Sequence, residues 1–593
     1  MRIHVYLFFM TCFISVQAMV IPSANRVAWD KAGYQSLASQ PELIVNVMDF
    51  GAAADGITDD KQSVDDAIAS LNGRYGIVFF PAGTYLLQSG INLPDSVTIR
   101  GTGSNTTFIK INSTGNCFEI YGSGSGKFAS IISGFNKESD KIIVNKVSLF
   151  KPDDYVEIRQ DNGSWDISPT SWSKKVVGQI SKIKYISGDT LFLEDKLRLN
   201  YDSSLNLEIQ KIIPKKQICI EYLNIERINT STDGKGFNIH FMYAVNCRVK
   251  GIESNKSQGS HCKISYSSNI EITGSYFHHA YMYDGAGTKG YGVTVDFHSG
   301  LCLVSNNIFK HLRHAMMVKD GANGNVFAYN YSMDVFRNGK GEFPDDFAGD
   351  ISLNGHYSYA NLFEGNIIQN LIIDEYGGPS GPFNTFFRNR IEHYGIFMVS
   401  ALTTNSNSVG NEIIGSILHG FHIILGSGNF VYADNVNGTI TPPGSSSLND
   451  VSYYLTAPPL FWNITDSWPS IGINNVLDRG TIPAKKRYLQ RIFTVSTDDN
   501  LQGIYLKNSP ISIETYPNPA TDYIVININS PRSLNAIITF TDLSGIPVMK
   551  YYFDLIQKGN SQKTYNISEL FHGIYFVKIT TEMGSSMKKI IVN

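Results

Sequence analysis

The sequence predicts an all-β molecule built mainly as a parallel β-helix, a solenoid of short strands, with smaller β modules attached. Three observations predict it. Of 593 residues only 17% are charged, while 52 are Gly, 32 Tyr and 34 Phe. That mix suits short strands and tight turns better than helices. An Asn recurs at 307, 330, 366 and 389, within NNIF, YNYS, GNII and RNRI, at steps of 23, 36 and 23. Phe327, Phe363 and Phe386 stand three residues before the last three of these, and Val304 before the first. A coil of about 22 residues is what three short strands and their turns require. Stacked Phe would fill the interior, and stacked Asn amides would hydrogen-bond along the axis.

The elements follow in order. MRIHVYLFFMTCFISVQA has a basic start, an apolar run and a small-residue end, the pattern of an export signal over residues 1–18. A membrane anchor needs about 20 apolar residues, and this run is shorter. No later stretch is apolar enough to span a bilayer. Leu43–Val47 reads as a strand. Thr58, Asp59 and Asp60 are N-cap candidates for a helix carrying Val64, Ala67, Ile68 and Leu71 at helical spacing. This helix is expected to cap the first coil, whose open end would otherwise expose apolar surface and unpaired backbone. Ile77–Phe80 and Thr84–Leu87 are strands around a Pro-Ala-Gly turn. Residues 135–215 alternate with period two and read as a small antiparallel β insertion. Coils resume from 218 to about 440, and the solenoid is assigned to 43–475. Residues 453–472, with Trp462 and Trp468, are expected to cover its far end. A polar linker is assigned to 476–510 and a β-sandwich to 511–593. The cysteines beyond the signal, Cys117, Cys219, Cys247, Cys262 and Cys302, lack CxxC spacing. They read as buried apolar residues with at most one or two disulfides, and not as a zinc site.

The stretch DFGAAADGITDD…VFFPAGTYLL resembles the opening segment of the pectate-lyase-like superfamily of right-handed parallel β-helices, over roughly residues 43–115. That superfamily holds polysaccharide lyases, glycoside hydrolases, epimerases and phage tailspikes. The C-terminal 80 or so residues resemble the sorting domain of the type IX secretion system of Bacteroidetes. The matching parts are Tyr516-Pro517-Asn518-Pro519, Asp542-Leu543-Ser544-Gly545, Gly573-Ile574-Tyr575 and Met587 to Val592. The resemblance implies handling by the type IX machinery and a secreted or surface location. A formal net charge of −3 argues against a nucleic-acid partner, and a monomer is expected.

Chemistry is expected where the coil rhythm breaks. The steps of 32 from Ser275 to Asn307 and 36 from Asn330 to Asn366 stand in place of 23. Long loops on a rigid solenoid usually carry function. Between them lies KHLRHAMMVKDG (310–321). Strand alternation puts Leu312, His314, Met316 and Val318 on the core face, and His311, Arg313 and Lys319 outside. Arg313 and Lys319 suit a uronate carboxylate or a sulfate. The longer loop offers Asp345, Asp346, Asp350 and His356; the first offers His278, His279, Asp284, Asp296 and His298. Close carboxylates can split their pKa values into acid and base, or bind Ca²⁺, the only cofactor expected. Two mechanisms fit. In β-elimination, Arg313 and Lys319 serve as neutraliser and base, with His314 or His356 assisting. In hydrolysis, Asp345, Asp346 and Asp350 supply the carboxylate pair. A non-catalytic glycan-binding or adhesive protein is the alternative.

Overall fold

The computed structural model describes residues 19–35, 41–230, 236–285, 287–339, 343–415, 420–445, 448–463, 465–472, 477–496, 512–530, 533–541, 547–581 and 584–593. Residues 1–18, assigned to the export signal, lie outside the described residues. The chain divides into two units, residues 1–495 and 496–593.

The first unit is a parallel β-helix. Each full coil sends one strand to each of three parallel ladders. Ladder A runs from Leu43–Asn46 to Phe430–Tyr432, ladder B from Asp55–Asp59 to Asp434–Val436, and ladder C from Ile91–Asn92 to Phe421–Ile424. Ladder A keeps like residues in register: Val304 pairs with Phe327, Phe327 with Phe363, and Phe363 with Phe386. The Phe327 and Phe363 rings stack at 4.9 Å, and Phe363 and Phe386 at 5.2 Å. They sit at the centre of one continuous apolar core.

The recurring Asn form a buried amide ladder at the next corner. The side-chain NH₂ of Asn307 donates to Asn330 Oδ1 (3.1 Å), Asn330 to Asn366 (3.0 Å), Asn366 to Asn389 (2.9 Å) and Asn389 to Asn411 (3.1 Å). Each amide also donates to a backbone carbonyl and accepts from a backbone N–H, as Asn366 does with Phe327 O and Asn330 N. A buried amide must find such partners or cost stability. The ladder ends on Asp434, which accepts from Asn411 at 3.0 Å and needs no onward acceptor.

At the start of the stack, helix α1 (Lys61–Ser70) buries Val64, Ala67 and Ile68 in the same core as Val47, Val78 and Phe80. Asp60 precedes it but does not cap it with its side chain. Its buried carboxylate accepts from the N–H of Ala53 (2.6 Å) and Ala54 (3.2 Å), tying down the preceding turn instead.

The β insertion is a closed six-stranded antiparallel barrel spanning Ser123–Ile213. It starts earlier than residue 135 because the Gly- and Ser-rich run after Tyr121 is strand, not turn. The barrel is moored to the coil corners after ladder C. His298 pairs with Glu157 at 2.8 Å, Arg198 donates to Asn323 Oδ1 at 2.8 Å, and Tyr359 donates to Gly178 O at 2.7 Å.

Two assignments are corrected by the structure. Residues 453–472 flank the solenoid and do not close its end. Trp462 is buried beside Tyr329, Leu362 and Phe387, and Trp468 Nε1 donates to Tyr329 OH. These coil residues face outward at the corner between ladders A and B and need an apolar cover. Part of the expected linker continues that cover: Pro483–Leu489 is helical, Lys485 pairs with Glu392, and Arg487 donates to Asn306 O. Ile482 and Ala484, fully buried, hold it there. The five described cysteines are buried and unpaired.

In the second unit, strands Ser512–Tyr516, Tyr523–Ser530 and Gly559–Asn566 form one antiparallel sheet, and four strands between Leu534 and Val592 form another. Ile524, Ile526, Ile538, Phe540, Val577 and Ile579 share one core.

Candidate functional site

The outer face of ladder C carries the candidate site. Strand His314–Val318 turns Met316 and Val318 into the core, as alternation requires. The coil register then stacks five polar residues in one outward column. Ser265 pairs with Asp296, Val295 with Val318, and Val318 with Leu353, so Lys319 lies between Asp296 and Asn354. Asn354 pairs in turn with Asp374 and donates to its carboxylate at 3.2–3.3 Å.

Lys319 is the centre of this column. Its side chain is 17% exposed, while Asp296 and Asp320 are fully buried. Neighbouring strand residues point to opposite faces. Asp320, however, takes the left-handed backbone (φ 49°), and its Oδ2 comes to 3.4 Å from the Lys319 ammonium. Burial alone would lower the Lys319 pKa. The charges of Asp320 and Asp296 outweigh it and raise it, so the ammonium stays charged. Asp320 is pushed up by burial, aided by Asp296 and opposed by Lys319 and His356. Asp296 is held by Lys263 at 3.2 Å and by the Ser265 hydroxyl.

The barrel insertion supplies one wall. Trp172 is half exposed, places its ring 5.2 Å from Lys319 Nζ, and meets the His356 ring edge-on at 5.2 Å. Ser173 donates to Asp320 Oδ1 at 3.4 Å. Burial holds His356 neutral against the pull of Asp320 and Asp166, and its buried Nδ1 has no hydrogen-bond partner. Tyr291 is buried, with Arg313 over its ring at 5.9 Å. Arg313 and Arg337 each stand 3.8 Å from Asp284. Burial raises the Asp374 pKa, while the N–H of Tyr376, Asn354 and Arg313 draw it down.

The residues expected from sequence do not form one constellation. Lys319 and His356 meet around Asp320, and Arg313 stands across Tyr291 from them. His314 is turned away: its Nδ1 donates to Gly349 O at 2.8 Å, and burial lowers its pKa to about 3. It anchors the long loop. Asp345 is exposed, with its backbone carbonyl taken by Arg337 N–H at 2.6 Å. Asp346 pairs with His393 at 2.9 Å and accepts from Tyr394 OH at 3.0 Å; these bonds lower its pKa although burial opposes them. Asp350 is buried, accepting from Ser332 Oγ and from the N–H of Gln369 and Asn370, and burial pushes its pKa up to about 6. The three loop aspartates thus lie in three separate settings. Among the described residues no group of three or more His, Cys, Asp or Glu side chains gathers as a metal cage. Asp320, Asn354, Asp374 and Trp172 were not among the expected residues. Only Asp320 had a sequence signal, its place beside Lys319.

Residues 44–168 match the family model described as rhamnogalacturonase A/epimerase, pectate lyase-like. The opening coils are pectate-lyase-like. Residues 514–593 match the secretion system C-terminal sorting domain, so the chain is marked for export to the cell surface or medium. The pectate-lyase-like part has partial relatives. Mannuronan C5-epimerase AlgE4 of Azotobacter vinelandii is 38% identical over 74 residues, covering 11% of this chain and 13% of that protein. Phage-related protein YobO of Bacillus subtilis is 46% identical over 79 residues, covering 13% and 9%. The chain thus spans only about a tenth of either relative. Among solved structures, the Gp54 tailspike of Acinetobacter baumannii bacteriophage AP22 aligns with 88% of this chain and 95% of its own, at 12% identity and a TM-score of 0.43. No described helix is long and apolar enough to cross a membrane.

Proposed function

We propose that this exported β-helix protein acts on an anionic extracellular polysaccharide, cleaving it by β-elimination next to a uronate. The observation that carries this reading is Lys319, a partly exposed ammonium 3.4 Å from the fully buried Asp320 carboxylate and next to buried Asp296 in the column. Such a cation is charged at all ordinary pH and can neutralise a uronate carboxylate as negative charge develops at the α-carbon. The raised Lys319 pKa makes it the neutraliser and not the base. The candidate proton acceptors are neutral His356 and the carboxylate of Asp374. Arg313 adds a second cation for the polyanion, and Trp172 a flat face for a sugar ring. The AlgE4 match and the pectate-lyase-like model support a uronate substrate class.

The test is absorbance near 235 nm during incubation with uronate polysaccharides, with and without Ca²⁺. A rise that vanishes in Lys319→Gln supports elimination. New reducing ends without absorbance would replace it by hydrolysis. Binding without either product would leave a glycan-binding protein, and no binding at all would overturn the reading.

A further inference from the structure

The corner that follows ladder B holds a histidine cluster that the proposed site does not use. His278 pairs with Lys310, and Lys310 with Met333. The next residues, His279, His311 and Asp334, therefore stack at one corner on three successive coils. All three take the left-handed backbone, with φ of 57°, 52° and 56°. The His279 and His311 ring centroids stand 5.0 Å apart, their planes 33° from parallel. Phe336 stacks on His311 at 4.6 Å, and Tyr283 meets it edge-on at 5.1 Å, so each long loop contributes a ring beside the pair.

The hydrogen bonds decide which ring nitrogens are bare. Glu253 Oε1 accepts from His278 Nε2 at 3.1 Å. With one proton on each ring, His278 Nδ1 is then an acceptor, and His279 Nδ1–H donates to it at 2.8 Å. That leaves His279 Nε2 with a free lone pair. His311 Nδ1 donates to Asp334 Oδ2 at 3.1 Å, which leaves His311 Nε2 bare as well. Neither Nε2 has a hydrogen-bond partner among the described residues. Burial, then His278, His311 and Lys310, lower the His279 pKa to about 4 against the pull of Asp334. This imidazole is therefore neutral at ordinary pH. A ring N–H backed by a carboxylate, directly or through one more ring, is how ligating histidines are oriented and made more basic.

Going beyond the proposed function, we propose that His279 and His311 bind one divalent transition-metal ion, zinc or a neighbour of similar softness, through their Nε2 atoms, with water completing its coordination. Two neutral imidazoles suit zinc, nickel or copper and not Ca²⁺, which takes oxygen ligands. Metal–nitrogen bonds of about 2.0–2.1 Å require the two nitrogens to close on the ion. His279 is exposed and His311 half-buried, so both rings can turn about their side-chain bonds while the strands stay fixed. Two protein ligands fall short of a closed cage and leave open positions towards solvent. The ion ties adjacent coils together where both long loops begin.

The experiment is equilibrium dialysis and titration calorimetry of the full chain, without a histidine tag, against Zn²⁺ near neutral pH. His279→Gln should abolish binding of one ion per chain. His278→Gln and Asp334→Ala should each weaken it about 10–100-fold, the cost of losing a partner behind a metal ligand. Zinc should raise the wild-type melting temperature and leave that of His279→Gln unmoved. His279 is exposed, so without metal this variant should melt like the wild type. A reading that needs no variant is carbethoxylation followed by peptide mass analysis, in which zinc should protect His279 and His311. No zinc binding, binding undiminished in His279→Gln, or equal modification of both histidines with and without zinc overturns the inference. Cleavage is read separately at 235 nm, so failure here leaves the proposed function standing.

Discussion

At the scale of single residues, Lys319 shows how burial and charge set a role. Its ammonium offsets Asp320, whereas Asp296 keeps Lys263 at 3.2 Å, so removing it strands one buried carboxylate. Lys319→Gln should lose activity by about 10²–10³-fold, as when one charge-stabilising group is removed. It should also cost about 3–5 kcal/mol of stability, as breaking a buried pair does. Adding Asp320→Asn should recover part of the stability and none of the activity, a split that unfolding curves and the 235 nm assay separate. Asp350 makes a prediction about pH. Its folded pKa, pushed up to about 6, lies above the ordinary carboxylate value of 3.8. The buried neutral acid is therefore favoured at low pH, and that stability is lost as pH rises through about 6. The loss amounts to about 3 kcal/mol across the window from 4 to 6. Asp350→Asn should flatten this fall in chemical-denaturation curves. An unchanged slope would show that Asp350 is not the group responsible.

At the scale of elements, the amide ladder and the barrel insertion do different work. The ladder makes neighbouring coils depend on one another. Asn366→Ala would leave Asn330 N, Asn330 Nδ2, Asn389 Oδ1 and Phe327 O short of a partner. A loss of about 2–4 kcal/mol is expected from such orphaned groups, read as a lower denaturant midpoint. The barrel contributes to the working face through Trp172. Trp172→Ala should weaken glycan affinity by about tenfold, the worth of one stacked ring, while the solenoid's melting temperature stays near wild type. Much of this level was legible in sequence. The Phe and Asn positions that suggested coils are the ones that stack, because an identical local rule was repeated at each turn. The flanking cover of residues 453–495 was not legible. Its apolar composition shows that it is buried but not which surface it meets.

At the scale of the whole molecule, the chain divides into the solenoid unit, residues 1–495, and the sorting unit, residues 496–593. Fusing residues 512–593 to a reporter that carries its own export signal should send it through a type IX outer-membrane pathway. The same reporter without them should remain in the periplasm; equal release of both would assign export to another segment. The linear pattern was sufficient to dictate a parallel β-helix with a sorting unit behind it. Strand alternation, coil length and turn residues are local properties that every coil restates. It was insufficient to dictate the site. Lys319 comes to lie between Asp296 and Asn354 only through the register of successive coils, and the loops between those coils differ in length. Trp172 reaches Lys319 from some 150 positions away, because the barrel folds back onto the corners of the stack. Such meetings are decided by packing between distant segments, so the candidate site had to be found in the tertiary structure.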